Sequence, residues 1–185
     1  GQLDKSLEFH NKSLEIHKSL GDQVGLAKDY TNIGNIYRGN GQLDKSLEFH
    51  NKSLEINKSL GDQVHLAADY ANIGNIYRGN GQLDDAIEFH NKSLEIYQSL
   101  GYQVGLAKVY ANIGIAYQDK GQLDDAIEFH NKSLEIHKSL DDQVGLARDY
   151  TNIGVAYQDK GQLDKSLEFH NKSLEIHKSL GDQVG

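Results

Sequence analysis

From Leu43 to Leu60 the apolar or small residues fall at Leu43, Ser46, Leu47, Phe49, Ser53, Leu54, Ile56 and Leu60. At 100° per residue these positions cover about half of a helix circumference. The opposite side carries Asp44, Glu48, Asn51, Lys52, Glu55 and Lys58. Glu48–Lys52 is spaced as a favourable i,i+4 pair and Glu55–Lys58 as an i,i+3 pair. Over 24–38 a second arc, Leu26, Ala27, Tyr30, Ile33, Gly34 and Tyr37, follows the same period. Strict alternation is absent, so the pattern predicts helices and no strands.

This two-helix pattern recurs every 40 residues. GQLDKSLEFHNKSLEI begins at Gly1, Gly41 and Gly161, and GQLDDAIEFHNKSLEI at Gly81 and Gly121. Residues 1–40 and 41–80 differ at four positions: His17/Asn57, Gly25/His65, Lys28/Ala68 and Thr31/Ala71. Residues 161–185 repeat 1–25 unchanged. The chain therefore reads as one repeat array over 1–185, with units 1–40, 41–80, 81–120 and 121–160 and a partial fifth at 161–185. Such arrays build one-dimensional stacks, not a single central core. First (A-type) helices are expected near 22–38, 62–78, 102–118 and 142–158. Second (B-type) helices are expected near 2–19, 42–59, 82–99, 122–139 and 162–179. The fold class is all-α, an α-solenoid of stacked antiparallel helix pairs with nine helices.

The punctuation fits. Gly41, Gly81, Gly121 and Gly161, and likewise Gly21, Gly61 and Gly101, stand where a helix ends in a left-handed residue. Asp141 takes that place in the fourth repeat. Asp22, Asp62 and Asp142 occupy N-cap positions, whereas Tyr102 cannot cap, which predicts a frayed helix start.

Composition narrows the function. The chain has no Cys, Met, Trp or Pro and a net charge of −8. No stretch approaches the roughly 18 apolar residues of a membrane span, so a soluble, cytoplasmic protein is expected, with no membrane partner. Without cysteine there is no disulfide framework or thiolate site. The acidity argues against a nucleic-acid partner. The lack of an initiator Met and of a signal-peptide core suggests an excised fragment.

The run Ala27-x-x-Tyr30-x-x-Ile33-Gly34-x-x-Tyr37-x-x-x-Gly41-x-Leu43-x-x-Ser46 resembles a tetratricopeptide repeat. Ala86 and Ala126 replace Ser46 in two copies, and Ser53-Leu54 supplies the usual small-then-large pair. The period exceeds the common 34 residues, as in the longer-repeat branch of Pins-type adaptors, kinesin light chains and bacterial peptide-sensing regulators. The family's closing proline is missing, and His50 stands where the second helix usually carries an aromatic. The resemblance implies a right-handed superhelix and a non-enzymatic scaffold that holds an extended peptide in its concave groove.

Histidine forms a ladder at His10, His50, His90, His130 and His170, with His17, His137 and His177 seven residues further on. Stacked helices lie about 10 Å apart, too far for rungs to share a metal with bonds of about 2 Å, and no carboxylate shares the face. Packing at an inter-helix seam is the leading reading, ahead of adventitious metal binding or a pH-sensitive seam. The Asn51-Lys52-Ser53 type of sequon falls mid-helix and reads as coincidence. No nucleophile–base set, cofactor motif or metal site is visible, so no catalytic residue, cofactor or metal is assigned.

The A-helix residues opposite the core arc are Lys28, Thr31, Asn32, Asn35 and Arg38. Asn32, Asn72, Asn112 and Asn152 place the same amide at every rung. Asparagine is a poor helix former, and its side chain both donates and accepts, which suits the backbone of an extended peptide. Duplication alone would also carry these residues along unused. The matching asparagine does this work in the resembling adaptors. The candidate peptide-binding set is Asn32, Asn72, Asn112, Asn152, Asn35, Asn75, Lys28, Arg38, Arg78, Lys108 and Arg148. Ile115, Val155, Val109, Gln118 and Gln158 give the second half of the groove a different character. The expected ligand is thus acidic or polar over the first two A helices and apolar over the last two. Thr31, Ala71, Ala111 and Thr151 stand where the resembling chaperone adaptors place a clamp lysine, so chaperone C-terminal tails are not expected to bind.

A competing reading is end-to-end self-association. Leu3, Leu7, Phe9, Leu14 and Ile16 in helix 2–19 keep the interior pattern, as do Leu163, Leu167, Phe169, Leu174 and Ile176 in helix 162–179. Open apolar stripes would favour a homo-oligomer through these terminal helices.

Overall fold

The computed structural model describes residues 2–182, with side chains from 5 to 181. The side chain of Leu3 lies outside the described residues. Within them, nine helices succeed one another: α1 (Gln2–Leu20), α2 (Gln23–Gly39), α3 (Leu43–Leu60), α4 (Gln63–Gly79), α5 (Leu83–Leu100), α6 (Gln103–Asp119), α7 (Leu123–Ser139), α8 (Gln143–Asp159) and α9 (Leu163–Asp182). No strand occurs among the described residues. Even-numbered helices are the A type and odd-numbered the B type. Each turn of two or three residues reverses the chain, and successive helices pack together, which gives the all-α solenoid of helix pairs. Two compact units divide inside α5, Gly1–Ile96 and Tyr97–Gly185.

The turns use left-handed residues. Gly41 has φ 72°, Gly61 φ 69° and Asp141 φ 54°, a conformation that an aspartate tolerates better than a β-branched residue. Asp22, Asp62 and Asp142 cap α2, α4 and α8, accepting from the backbone N–H three residues on at 3.0, 3.1 and 2.9 Å. Tyr102 makes no side-chain cap bond, yet α6 begins at Gln103, in the register of Gln23, Gln63 and Gln143. The expected fraying does not occur, because the Tyr102 ring packs on Tyr97 with centroids 5.4 Å apart and holds the turn without a cap.

The packing seam differs from the simple apolar arc. On α3 the buried residues are Ser46, His50, Ser53 and Asn57, a polar and small row at i, i+4, i+7 and i+11. Leu60, counted above as part of the apolar face, is 44% exposed. Small groups on this row let α2 approach closely, and Ser46 Oγ donates to the Gly34 carbonyl at 2.8 Å. Ile33, Ile73, Ile113 and Ile153 are wholly buried on the facing A helices. The tyrosines flank this core: Phe49 lies 6.0 Å from Tyr30 and 5.4 Å from Tyr37, and Phe129 lies 6.0 and 5.3 Å from Tyr110 and Tyr117. Lys52 and Lys132 lie over the phenylalanine rings at 4.8 and 4.5 Å, covering the stacks with their stems.

Candidate functional site

The A helices place Asn32 and Asn72 in the first compact unit and Asn112 and Asn152 in the second. All four are half-buried, and none has a side-chain hydrogen bond to another described residue. Asn35 accepts from Arg38 at 3.4 Å, and Asn75 is half-buried. Lys28, Lys108 and Arg148 are exposed one turn before the ladder. Arg38 and Arg78 stand near His50 and His90, adding their positive charge to the field at those rings. Val109 does not face a groove: it is 1% exposed. Its β-branched side chain fills a buried seat that aspartate occupies in the other repeats.

That seat was invisible in the amphipathic pattern. Asp29, Asp69 and Asp149 are 5%, 1% and 0% exposed, each met by a residue twelve positions earlier on the preceding B helix. His17 Nδ1 lies 2.7 Å from Asp29, and His137 Nδ1 2.5 Å from Asp149. Asp69 instead receives the Asn57 amide at 2.6 Å, Ser53 at 3.0 Å and Thr31 at 3.4 Å. The helix that follows thus supplies the carboxylate that the histidine face itself lacks. Burial raises the Asp149 carboxyl above its ordinary value and pushes Asp69 up to about 6.

The residue opposite each seat governs a glycine. A Cβ on Gly25 would stand 2.5 Å from the His17 ring, on Gly105 2.8 Å from Tyr97, and on Gly145 2.4 Å from His137. Only where Asn57 replaces the ring does the register carry a larger residue, His65. Its Nδ1 lies 2.8 Å from Asp62 at the end of the same helix. The signal was present as parallel exchange among the repeats: His17/Gly25/Asp29, Asn57/His65/Asp69, Tyr97/Gly105/Val109 and His137/Gly145/Asp149.

Between α2 and α4 a cavity of about 340 Å³ brings Lys28 and Asn32 together with Asn57, His65 and Asp69. The histidine ladder lies elsewhere, at the A/B seam. His50, His90 and His130 are wholly buried, and neither ring nitrogen has a hydrogen-bond partner. Burial, with Arg38 and Arg78 beside the first two, pushes their pKa down to about 4. His10 and His170 are half-buried. Among the described residues no group of three or more His, Cys, Asp or Glu is arranged to hold a metal ion, and no helix is long and apolar enough to cross a membrane.

No curated protein sequence matches this chain. Solved structures share its fold at low identity. BtubC (BKLC) from P. vanneervenii superposes with a TM-score of 0.85 at 23% identity, over 98% of this chain and 75% of that one. A putative kinesin light chain from Podosopora anserina, described as nearly identical TPR-like repeats, gives 0.78 at 19% identity over 98% and 90%. Aspartyl phosphate phosphatase F from Bacillus subtilis gives 0.88 at 19%, over 98% of this chain and 49% of that one. The tetratricopeptide repeat model matches four overlapping segments, residues 1–59, 25–99, 64–139 and 105–179. With the motif recurring in register through almost its whole length, the chain belongs to the tetratricopeptide repeat family.

Proposed function

We propose that this chain is a non-enzymatic protein-interaction scaffold whose A helices hold an extended segment of another protein by its backbone. The observation that carries the reading is the set Asn32, Asn72, Asn112 and Asn152. These amides share one register, are half-buried, and have no side-chain hydrogen bond to another described residue. A half-buried amide with unused donor and acceptor capacity is a hydrogen-bonding group awaiting a partner. Asn35, Asn75, Lys28, Arg38, Arg78, Lys108 and Arg148 flank the ladder and bind side chains of the segment. A peptide-library pull-down with the parent and with Asn72→Ala plus Asn112→Ala tests this. The double variant should weaken the retained peptides by more than about 1 kcal/mol; equal retention removes the proposal.

Association of copies through α1 and α9 is a second reading. Phe9, Ile16, Leu167 and Leu174 are 68%, 58%, 62% and 49% exposed, as large apolar side chains seldom are in clusters. Sedimentation over a concentration range tests it: a monomer at every concentration excludes it.

A further inference from the structure

The cavity between α2 and α4 gathers the places where the second repeat departs from the first. Of the four differing registers, Asn57, His65 and Ala68 line it from the second repeat, and Lys28 and Thr31 from the first. Everything else in these two repeats is copied without change. Differences confined to one cavity mark it as specialised, which simple duplication does not explain.

The substitutions share a direction of charge. Elsewhere the register of Ala68 carries Lys28, Lys108 or Arg148, and the register of Asn57 carries His17 or His137 wherever the next helix holds a buried aspartate. At this rung both basic groups are gone. Among the described residues Asp69, 1% exposed, accepts hydrogen bonds from the neutral donors Asn57, Ser53 and Thr31, and His65 acts on it through its charge without a hydrogen bond. Thr31 reaches Oδ1 at a long 3.4 Å, so that oxygen keeps accepting capacity. The Asn57 amide spends both N–H groups, on Asp69 and Ser53, which leaves its oxygen as a further acceptor. Val24, Ala27 and Ala68 give apolar walls. Besides Asp69 the lining holds three ionisable groups, Asp62, His65 and Lys28. His65 is engaged by Asp62, and Lys28 is exposed, its ammonium free to turn to solvent. Acceptors at the floor and methyl groups on the walls match a long apolar stem with a cationic head. The volume, about 340 Å³, lies at the small end of the roughly 300–1,000 Å³ of ligand pockets and suits one side chain.

We propose that this cavity seats a lysine or arginine side chain of the bound segment, with its cation paired to Asp69. The assignment deepens the scaffold reading and rests on it for the rest of the segment; at this one rung a basic side chain takes the place of the acidic or polar residue expected over the first two A helices. A desolvated carboxylate without a cationic partner gains most from an arriving cation.

The test is an NMR titration of the whole chain at pH 7.5 with N-acetyl-arginine amide, N-acetyl-norleucine amide and N-acetyl-glutamate amide. The arginine probe should shift the amides of Thr31, Asn57, Ala68 and Asp69 saturably, at least tenfold more tightly than the other two. A68K and the double variant N57H/H65G copy residues of the first repeat into this rung, so both retain packing already present in the protein. Each should weaken the arginine probe at least tenfold, as should D69N. No shift at these amides, equal binding of norleucine or glutamate, or unchanged binding by N57H/H65G overturns the proposal. Failure here is separable from failure of the ladder. Segments that bind through the asparagines equally well with arginine or norleucine at this rung refute only the seat. Probe binding without any retained segment refutes only the ladder.

Discussion

His50 lies so close to Gly34 that a Cβ on the glycine would stand 2.7 Å from the imidazole Cδ2. The same relationship joins Gly74 to His90 and Gly114 to His130, at 2.7 and 2.6 Å. A mid-helix glycine costs about 1 kcal/mol relative to alanine, and here it gives a flat ring room against the neighbouring backbone. The family's small residue and this chain's histidine are therefore one feature.

Gly74→Ala should destabilise the protein despite its better helix propensity. The buried ring cannot retreat, and overpacking costs about 1–3 kcal/mol. Gly39→Ala is the control, since a Cβ there meets nothing within 4 Å; it should be neutral or stabilising by up to about 1 kcal/mol. Urea unfolding of both variants checks the pair, and equal effects would refute the contact.

The ladder also sets a response to acid. His50, His90 and His130 titrate near 6.5 when unfolded but resist protonation down to about 4 when folded. Their contribution is complete above pH 6.5 and is lost as pH falls toward 4, on the order of 3 kcal/mol per ring. His130→Leu should flatten the slope of unfolding free energy over this interval. A slope unchanged in the variant would show that these rings do not control it.

Asp69 works in the opposite sense. Its folded carboxyl titrates near 6 and its unfolded one near 3.8, so the stability linked to its protonated form is present below 3.8 and lost as pH rises through 6. Asp69→Asn keeps an acceptor for Asn57 and removes the buried charge. It should raise stability at pH 8 by about 3 kcal/mol and leave pH 4 nearly unchanged. Denaturation at the two pH values measures the difference, and equal effects at both would contradict it.

Much of this architecture was legible because it is local. Asp62 caps and left-handed Gly61 are written in single residues, and the amphipathic period located the helices to within a residue, except that α9 runs three residues past the expected end, to Asp182. The buried row Ser46, His50, Ser53 and Asn57 escaped, because polarity usually marks a solvent face. Asp29 and Asp149 escaped for the same reason: their counter-groups His17 and His137 lie on another helix. The ladder asparagines were legible as a register, but the cavity beside Asn32 needed the facing α4 wall to exist.

The third repeat supplies a natural experiment, because it replaces the histidine–aspartate pair by Tyr97 and Val109. Val109 is 1% exposed, so Val109→Asp places a carboxylate in a buried seat beside a ring with no cationic nitrogen. A buried, unpaired charge costs about 3–5 kcal/mol. Tyr97→His should restore most of that loss, since Gly105 already leaves room for a ring as Gly145 does beside His137. The coupling from the four-protein cycle should exceed about 1.5 kcal/mol, and it should shrink above pH 7 as the imidazole loses its proton. Additive single effects would mean that the repeats exchange these residues independently, and that the shared register has no energetic basis.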